Sequence, residues 1–346
     1  MTHIPANIKD LAIIPTMKDC LISQGKVRDT YRVPGRDDLL LTEATDRISI
    51  FDFVLPVTVP KKGEVLTALT YFWLTQVFQK IPNHMFPHPD QDYPHNFVHF
   101  LGEEYPDIPL VRSLVIRKLG ILPYEFVYRH HIGGSVFKEY QRHGTAAGQP
   151  VQEGLKKWAK IERPIFTPST KAETGHDQNI TVDAYFAETG DQQGREPVIM
   201  ASDVYSRAYR YAAINGVLIL DTKFELGRDG AGKLYLADEV LTPDSSRFTI
   251  SSAWEQAMAN GQDPPFYDKQ PVRDWGSQIE TLFSNKQGEK IVGLKGLNPE
   301  DLAHLEFVDS LQVPTDVISQ TTERYLRIFK MITDRSLDEY QRENLL

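Results

Sequence analysis

Val217-Leu218-Ile219-Leu220-Asp221-Thr222-Lys223-Phe224-Glu225-Leu226-Gly227 is the stretch whose reading decides the fold, with Asp238-Glu239 shortly after it. Successive side chains on a strand point to opposite faces, so Asp221, Lys223 and Glu225 share one face and Leu220, Thr222 and Phe224 the other. The charged groups then stand about 7 Å apart, twice the strand rise. The apolar run 217–220 reads as a buried strand. Gly227–Gly232 is a turn signal, and Lys233–Glu239 reads as the returning strand of a hairpin. That hairpin brings Asp238 or Glu239 beside Glu225 or Asp221, with the register open. Mg²⁺ takes one or two carboxylates together with phosphates and waters, which suits this row. A solvated hairpin face with charges paired across strands explains the same row equally well.

Working outward, residues 21–33 read as strand, turn and strand around Gln24-Gly25-Lys26, and 39–42 as a short strand. Residues 64–80 carry a helical stripe that Pro82 stops. Residues 83–109 read mostly as loop, 114–117 and 125–129 as strands, and the domain junction falls near 118–123. Residues 144–180 look largely irregular, with Gly and Pro throughout. Ser202 is read as the cap of a helix that Gly216 ends, and 316–335 as a C-terminal helix. Early hairpins followed by mixed elements indicate an α+β protein. Its division is an N-terminal β-rich lobe, 1–120, and a larger α+β lobe, 121–346.

The 346 residues suffice for about two domains. With 47 acidic against 38 basic side chains the net charge is −9, which argues against a broad nucleic-acid surface. The single cysteine, Cys20, excludes an intrachain disulfide. No apolar run approaches the length of a membrane span, and the N-terminus lacks a signal-peptide pattern, so a soluble cytoplasmic protein is expected.

Five further clusters have chemistry to offer. Gly25 lets backbone approach a phosphate, with Lys26 and Arg28 supplying charge, although a plain basic hairpin turn has the same pattern. Asp46, Arg47 and Ser49 either recognise a carboxylate or form a turn in which Asp46 caps backbone. Arg129-His130-His131-Ile132-Gly133-Gly134-Ser135 is strand, glycines and helix start, an anion site by its free N–H groups. Its two histidines are expected to be solvated or hydrogen-bonded rather than metal ligands. The loop 169–179 gathers Lys171, His176 and Asp177, and Arg247 after the hairpin either closes over a phosphate or pairs on the surface.

In series, these blocks closely resemble the SAICAR synthetase family: GKVRDTYRV (25–33), TEATDRISIFD (42–52), RHHIGGSVFKEY (129–140), STKAETGHDQNIT (169–181), GVLILDTKFELG (216–227) and LADEVLTPDSSRF (236–248). The resemblance implies an α+β fold related to ATP-grasp and kinase-like nucleotide binders, with ATP between a small and a large lobe. It implies an acid–amino-acid ligase that joins L-aspartate to carboxyaminoimidazole ribotide (CAIR) through an acyl phosphate, giving SAICAR, ADP and phosphate. ATP and Mg²⁺ follow as co-substrate and cofactor, CAIR and L-aspartate as small-molecule partners, with no nucleic acid and no membrane; a homo-oligomer stays possible.

The matching positions imply roles. Gly25, Lys26 and Arg28 cover ATP phosphates, Lys118 and Leu119 hold adenine by backbone, and Asp221 and Lys223 stand beside the nucleotide. Glu225 and Asp238 hold Mg²⁺. Arg129, Ser135 and Arg247 take the CAIR phosphate or carboxylate. Lys171, His176 and Asp177, with Lys223, face the reacting groups, and Asp46, Arg47 and Ser49 take aspartate or complete the CAIR pocket. A small-molecule kinase and a non-catalytic nucleotide-binding module are the alternatives.

Overall fold

The structure, a computed structural model, describes residues 16–86, 98–171 and 178–346. The strands β1 (Leu21–Gln24), β2 (Arg28–Val33) and β3 (Arg36–Ala44) form an antiparallel meander. A separate hairpin, β4 (Arg47–Ile50) and β5 (Phe53–Thr58), leads into α1 (Lys62–Phe72), which continues as a π-helical turn over Trp73–Val77. The helix α2 (Val98–Glu104) precedes β6 (Ser113–Arg117), which pairs with β3 and completes a sheet of order β1-β2-β3-β6. The alternation of Val33, Leu39, Leu41 and Val115 turns one face of this sheet onto Leu101 and Tyr105 of the α2 segment. The other face carries Arg28.

A second, seven-stranded sheet follows. Its members are β7 (Gly120–Ile121), β8 (Tyr124–His131), β11 (Lys160–Phe166), β12 (Ser169–Thr170), β13 (Val217–Arg228), β14 (Leu234–Ala237) and β15 (Ser246–Ile250). Between β8 and β11 lie α3 (Gly134–His143) and the hairpin β9 (Thr145–Ala146) and β10 (Gln149–Pro150). Every ladder between named strands is antiparallel, as the α+β reading requires. The twelve residues of β13 are its spine, pairing with β7, β8, β14 and β15. The helices α4 (Val182–Thr189) and α5 (Asp191–Ile214) cover one face. Ala201, Ala208 and Ala212 let α5 approach closely, and the Tyr205 hydroxyl donates to the Ile219 carbonyl at 2.8 Å. The chain ends with α6 (Ser251–Asn260), α7 (Gln270–Gln278), the hairpin β16 (Glu280–Ser284) and β17 (Lys290–Val292), α8 (Leu302–Asp309), α9 (Thr315–Thr333) and α10 (Leu337–Asn344). The predicted C-terminal helix is α9, and its Tyr325, Ile328 and Ile332 are buried as the pattern requires. The β4–β5 hairpin packs with these C-terminal elements, while α1 lies between α9 and α10 on one side and β3 of the small sheet on the other.

Three local expectations are corrected. Ser202 lies inside α5, not at its start: the helix begins at Asp191, after Gly190 (φ +75°) has ended α4. Gly194 and Pro197 weaken the helical pattern there, yet the turn holds because the helix is packed on the sheet. Residues 144–180 are less irregular than expected, because β11 joins the central sheet despite Pro164. It is an outer strand with a bulge between Lys160 and Ile165, where a missing N–H is tolerated. Part of 83–109 is the helix α2.

Candidate active site

The row on β13 forms as its alternation demands. Phe224 is fully buried on the core side, while Asp221, Lys223 and Glu225 share the other face, where Asp221 and Lys223 line a cavity and each of the three meets an opposite charge. Asp221 stands opposite Arg129 of β8 and Arg247 of β15, so three charged groups line up across three strands. Arg129 donates to its carboxylate at 3.1 Å, and one Arg247 nitrogen reaches both oxygens, at 2.9 and 2.6 Å. Lys223 donates to Glu125 at 2.5 Å, and Lys171 to Glu225. The two competing readings of the row are both partly realised: the charges do pair across strands, but at the wall of a cavity.

These pairs fix the protonation states. Burial pushes the Asp221 carboxyl up, but Arg247 and Arg129 outweigh it, so it is held below the usual range. Burial opposes the charge on Lys223, yet Glu125 overrides it and the ammonium is held well above its ordinary pKa. Glu225 is raised, by burial first and then by Asp238. Asp238 is lowered, because Arg28 and Lys171 overcome its burial. Glu225 pairs with Ala237 across the hairpin, which puts Asp238, the next residue, at its side. Two coupled carboxylates that already draw in Lys171 and Arg28 form a place for a cation. Among the described residues no set of three or more acidic, His or Cys ligands gathers, so a metal here would complete its shell with phosphates and water.

The glycines of the helix start sit where expected. Gly134 (φ +62°) opens α3, and a Cβ there would lie 3.7 Å from an Arg247 nitrogen and 4.0 Å from one of Arg129. The free N–H end of a ten-residue helix and two guanidinium groups thus converge, an arrangement suited to a phosphate. Ser135 is in the same turn, 3.4 Å from Asn179. Arg129, Ser169, Asn179, Lys223 and Arg247 contribute to a cavity of about 320 Å³. It shares Lys223, Asp244, Arg247, Lys269 and Arg273 with a second cavity of about 690 Å³, which extends to Lys26 and Ser49.

The Gly25 turn closes the far side. Its N–H donates to the Arg28 carbonyl at 2.7 Å, and a Cβ would lie 2.7 Å from that same oxygen, so only glycine fits. Lys26 contacts Asp52 at 2.6 Å, and Arg28 crosses from the small sheet to Asp238 at 3.2 Å. Arg47 is engaged by the chain itself. It grips Asp29 with two nitrogens, at 2.5 and 3.1 Å, and donates to the Gly25 carbonyl at 2.9 Å, which makes it a brace for the glycine turn. Asp46 accepts from the Gly63 N–H at 2.8 Å and so caps α1. Ser49 of that trio lines the larger cavity. Lys118 and Leu119 link β6 to β7, where the Lys118 N–H donates to the Asp38 carbonyl and Leu119 lies against Gly227. His176 and Asp177 lie outside the described residues.

His130 and His131 correct the expectation of solvation. Both are buried, and among the described residues none of their four ring nitrogens has a hydrogen-bond partner. They lie instead against Tyr209 and Trp254, and burial pulls them down to about 4 and about 3, leaving neutral rings.

Sequence reading did not assign Glu125, Asp244, Lys269, Arg273 or Lys62. Asp244 is the hub: Lys62 meets it at 2.8 Å, the Tyr325 hydroxyl donates to it at 2.5 Å, and Lys269 is 4.0 Å away. Asp244 stood inside the block 236–248, so its place was within reach. Lys269 and Arg273 had no comparable signal beyond an Asp-Lys-Gln-Pro start to a helix.

Fold and cleft together define an α+β protein whose paired charges line a cleft beside two antiparallel sheets. The SAICAR synthetase family model matches residues 21–290. The chain is 40% identical over 323 residues to the phosphoribosylaminoimidazole-succinocarboxamide synthase of Thioalkalivibrio sulfidiphilus, covering 91% of this chain and 95% of the other. It is 38% identical over 317 residues to that of Methylobacillus flagellatus, with the same coverage. The SAICAR synthase of Saccharomyces cerevisiae, solved with SAICAR, superposes with a TM-score of 0.70 at 31% identity, covering 97% of this chain and 98% of that one. The chain belongs to the SAICAR synthetase family.

Proposed function

We propose that this chain joins L-aspartate to the carboxylate of CAIR at the expense of ATP, forming SAICAR, ADP and phosphate in purine synthesis. The observation that carries the reading is the Asp221–Lys223–Glu225 row, which runs from the two-arginine helix end to the coupled carboxylate pair along one strand. That order suits a phosphorylated ribotide at one end, a nucleoside triphosphate at the other, and transfer between them. The division into lobes 1–120 and 121–346 fits this use, with the 118–119 link joining the two sheets and β4, β5 and α1 packing across the boundary.

The chemistry has two steps. A CAIR carboxylate oxygen attacks the γ-phosphorus of ATP, and the bond to the ADP oxygen breaks. The aspartate amine then attacks the acyl carbon, phosphate departs with the C–O electron pair, and the amine gives up a proton. Most of the catalysis is positioning and charge neutralisation. Arg129, Arg247 and the α3 start, with Ser135, would take the ribotide phosphate. Gly25, Lys26 and Arg28 would cover the ATP phosphates, and Lys118 and Leu119 would lie along the adenine. Asp221 keeps both arginines charged and oriented. Lys223 stays protonated beside Glu125, so it serves as a cation for the carboxylate under attack and not as a base. Lys171, His176 and Asp177 are assigned to the reacting carboxylate and amine. Ser49, in the larger cavity with Lys269 and Arg273, is assigned to aspartate, and Arg47 acts through the Gly25 turn. Glu225 and Asp238 would hold Mg²⁺, which supplies charge neutralisation for the β- and γ-phosphates.

The test is ADP release from purified protein with Mg·ATP and CAIR, with and without L-aspartate, following SAICAR by absorbance. Aspartate-dependent ADP release matched by SAICAR is expected. ADP formed at the same rate without aspartate would identify a kinase, and no release in any mixture would identify a binding module.

A further inference from the structure

Trp158 takes no part in the chemistry above, yet the fold goes to some length to place it. It is a bulky residue with φ +65°, a region that side chains of its kind rarely occupy. Two backbone hydrogen bonds hold it there: its N–H donates to the Ile132 carbonyl at 2.7 Å, and its carbonyl accepts from the Trp254 indole at 2.9 Å. Strain that is fixed from both sides points to a positional demand. The ring is 3% exposed, and its own indole N–H has no partner among the described residues. Burying an unpaired donor is unfavourable, so a phenyl ring would serve better if packing were all that mattered.

What the ring touches explains the choice. The Arg247 guanidinium lies over its face, 5.5 Å from ring to Cζ, and Phe266 meets it edge-on at 4.9 Å. Indole has the strongest face for a cation. The same ring lies against Gly133, where a Cβ would fall 2.0 Å from it, so the residue that leads into the α3 start is glycine to admit the tryptophan. Arg247 is thereby fixed on two sides. One nitrogen is held by Asp221, its face is held by Trp158, and its remaining N–H edge is left for the cavities it lines.

We infer that Trp158 is a positioning residue for anion binding, setting the plane of Arg247 and its distance from the Gly133–Gly134 helix start. The inference rests on the reading of this cleft as the CAIR phosphate site. Removing the indole leaves Arg247 tethered at one nitrogen and free to tilt, which weakens the ribotide and leaves ATP untouched.

The experiment is a double-mutant cycle on CAIR binding, read by calorimetry without ATP, and on the separate KM values in turnover. Trp158→Leu should raise the CAIR Kd and KM about three- to tenfold, the range of an aromatic contact to a desolvated cation, with the ATP KM unchanged. Trp158→Phe should recover most of the loss. In an Arg247→Lys background, Trp158→Leu should add less than about twofold, because the two residues act as one unit. A lowered Tm with unchanged CAIR binding, or equal effects in both backgrounds, overturns the inference. A wild-type protein that binds no CAIR overturns the reading beneath it instead.

Discussion

Replacing Lys62 by methionine tests the hub on which both cavities rest. Lys62 opens α1 with its side chain wholly buried, and its ammonium is 2.8 Å from the Asp244 carboxylate, itself 3% exposed. At an effective dielectric of about 20 the attraction across that distance is about 6 kcal/mol, against a hydration loss of several kcal/mol for a buried ammonium. Methionine keeps the length and restores the lost hydration term, but it strands the acid. Breaking one side of a buried pair costs about 3–5 kcal/mol. Asp244 keeps the Tyr325 hydroxyl and the more distant Lys269, so the lower end, about 3 kcal/mol, is expected.

The pH dependence gives the prediction its sign. Burial would raise Asp244, but Lys269 and Lys62 hold it below the ordinary carboxylate value. A depressed carboxyl contributes stability that is present above the unfolded pKa, about 3.9, and lost as pH falls through the folded value. Without Lys62 the folded value rises. The gap between wild type and Lys62→Met is therefore full at pH 7 and narrows in acid. Urea unfolding followed by circular dichroism at pH 7 and about pH 2.5 measures it, because a loss of about 3 kcal/mol moves the carboxyl by only about two pK units; equal m-values are required. A loss below about 1 kcal/mol at pH 7, or one that stays the same in acid, refutes the reasoning. In an Asp244→Asn background the penalty should largely vanish.

Glu225→Gln keeps the shape of a proposed metal ligand and removes its charge, so ADP release should fall about a hundredfold across a Mg²⁺ titration; near-normal turnover would remove Glu225 from the cation site. Arg47→Ala should raise the ATP KM and leave the aspartate KM alone, because Arg47 braces the Gly25 turn; the opposite split would return it to the aspartate site. His131→Leu should flatten the acid side of the stability curve. The native ring, pulled down to about 3, refuses a proton that the unfolded ring takes below pH about 6.5. Its stabilising share is thus full above that pH and declines by roughly 3 kcal/mol towards pH 4. Urea midpoints at pH 4, 5, 6 and 7 would expose an unchanged slope, the result that counts against it.

What was legible in the sequence was whatever one segment settles alone. The β13 row followed from alternation after a buried run, the α3 start from two glycines before a serine, and the Gly25 turn from its place between strands. What stayed hidden depended on partners remote in the chain. Lys62 follows Lys61, and nothing local distinguishes the two lysines. Only Asp244, brought over by the β14–β15 connection, makes burial of the second tolerable. Arg47 read either as a grip on a carboxylate or as part of a turn, and the carboxylate it grips, Asp29, sits on another strand. His130 and His131 read as polar, but the aromatic face of α5 and Trp254 of α6 turn that end of β8 into core. The first half of α5 was missed since its helicity derives from packing rather than propensity.

The site holds its charges in pairs before any ligand arrives, and this constrains how it can act. Lys223 is matched by Glu125, Lys171 by Glu225, Arg28 by Asp238, and Arg129 with Arg247 by Asp221. Bare cations at such depth would lose their protons or drive the strands apart; paired, they remain charged and fixed. An arriving polyanion then meets oriented donors, so little reorganisation is needed as charge develops in the transition state. The pairing also limits roles. An ammonium held well above its ordinary pKa, as Lys223 is, cannot accept the proton that the aspartate amine must release. Arg129 and Arg247 are excluded by their chemistry, and Asp221 is held below the usual carboxylate range by both. Within the proposed mechanism, none of these four groups takes that proton. Glu225, raised by burial and by Asp238, is reserved for the cation in that mechanism.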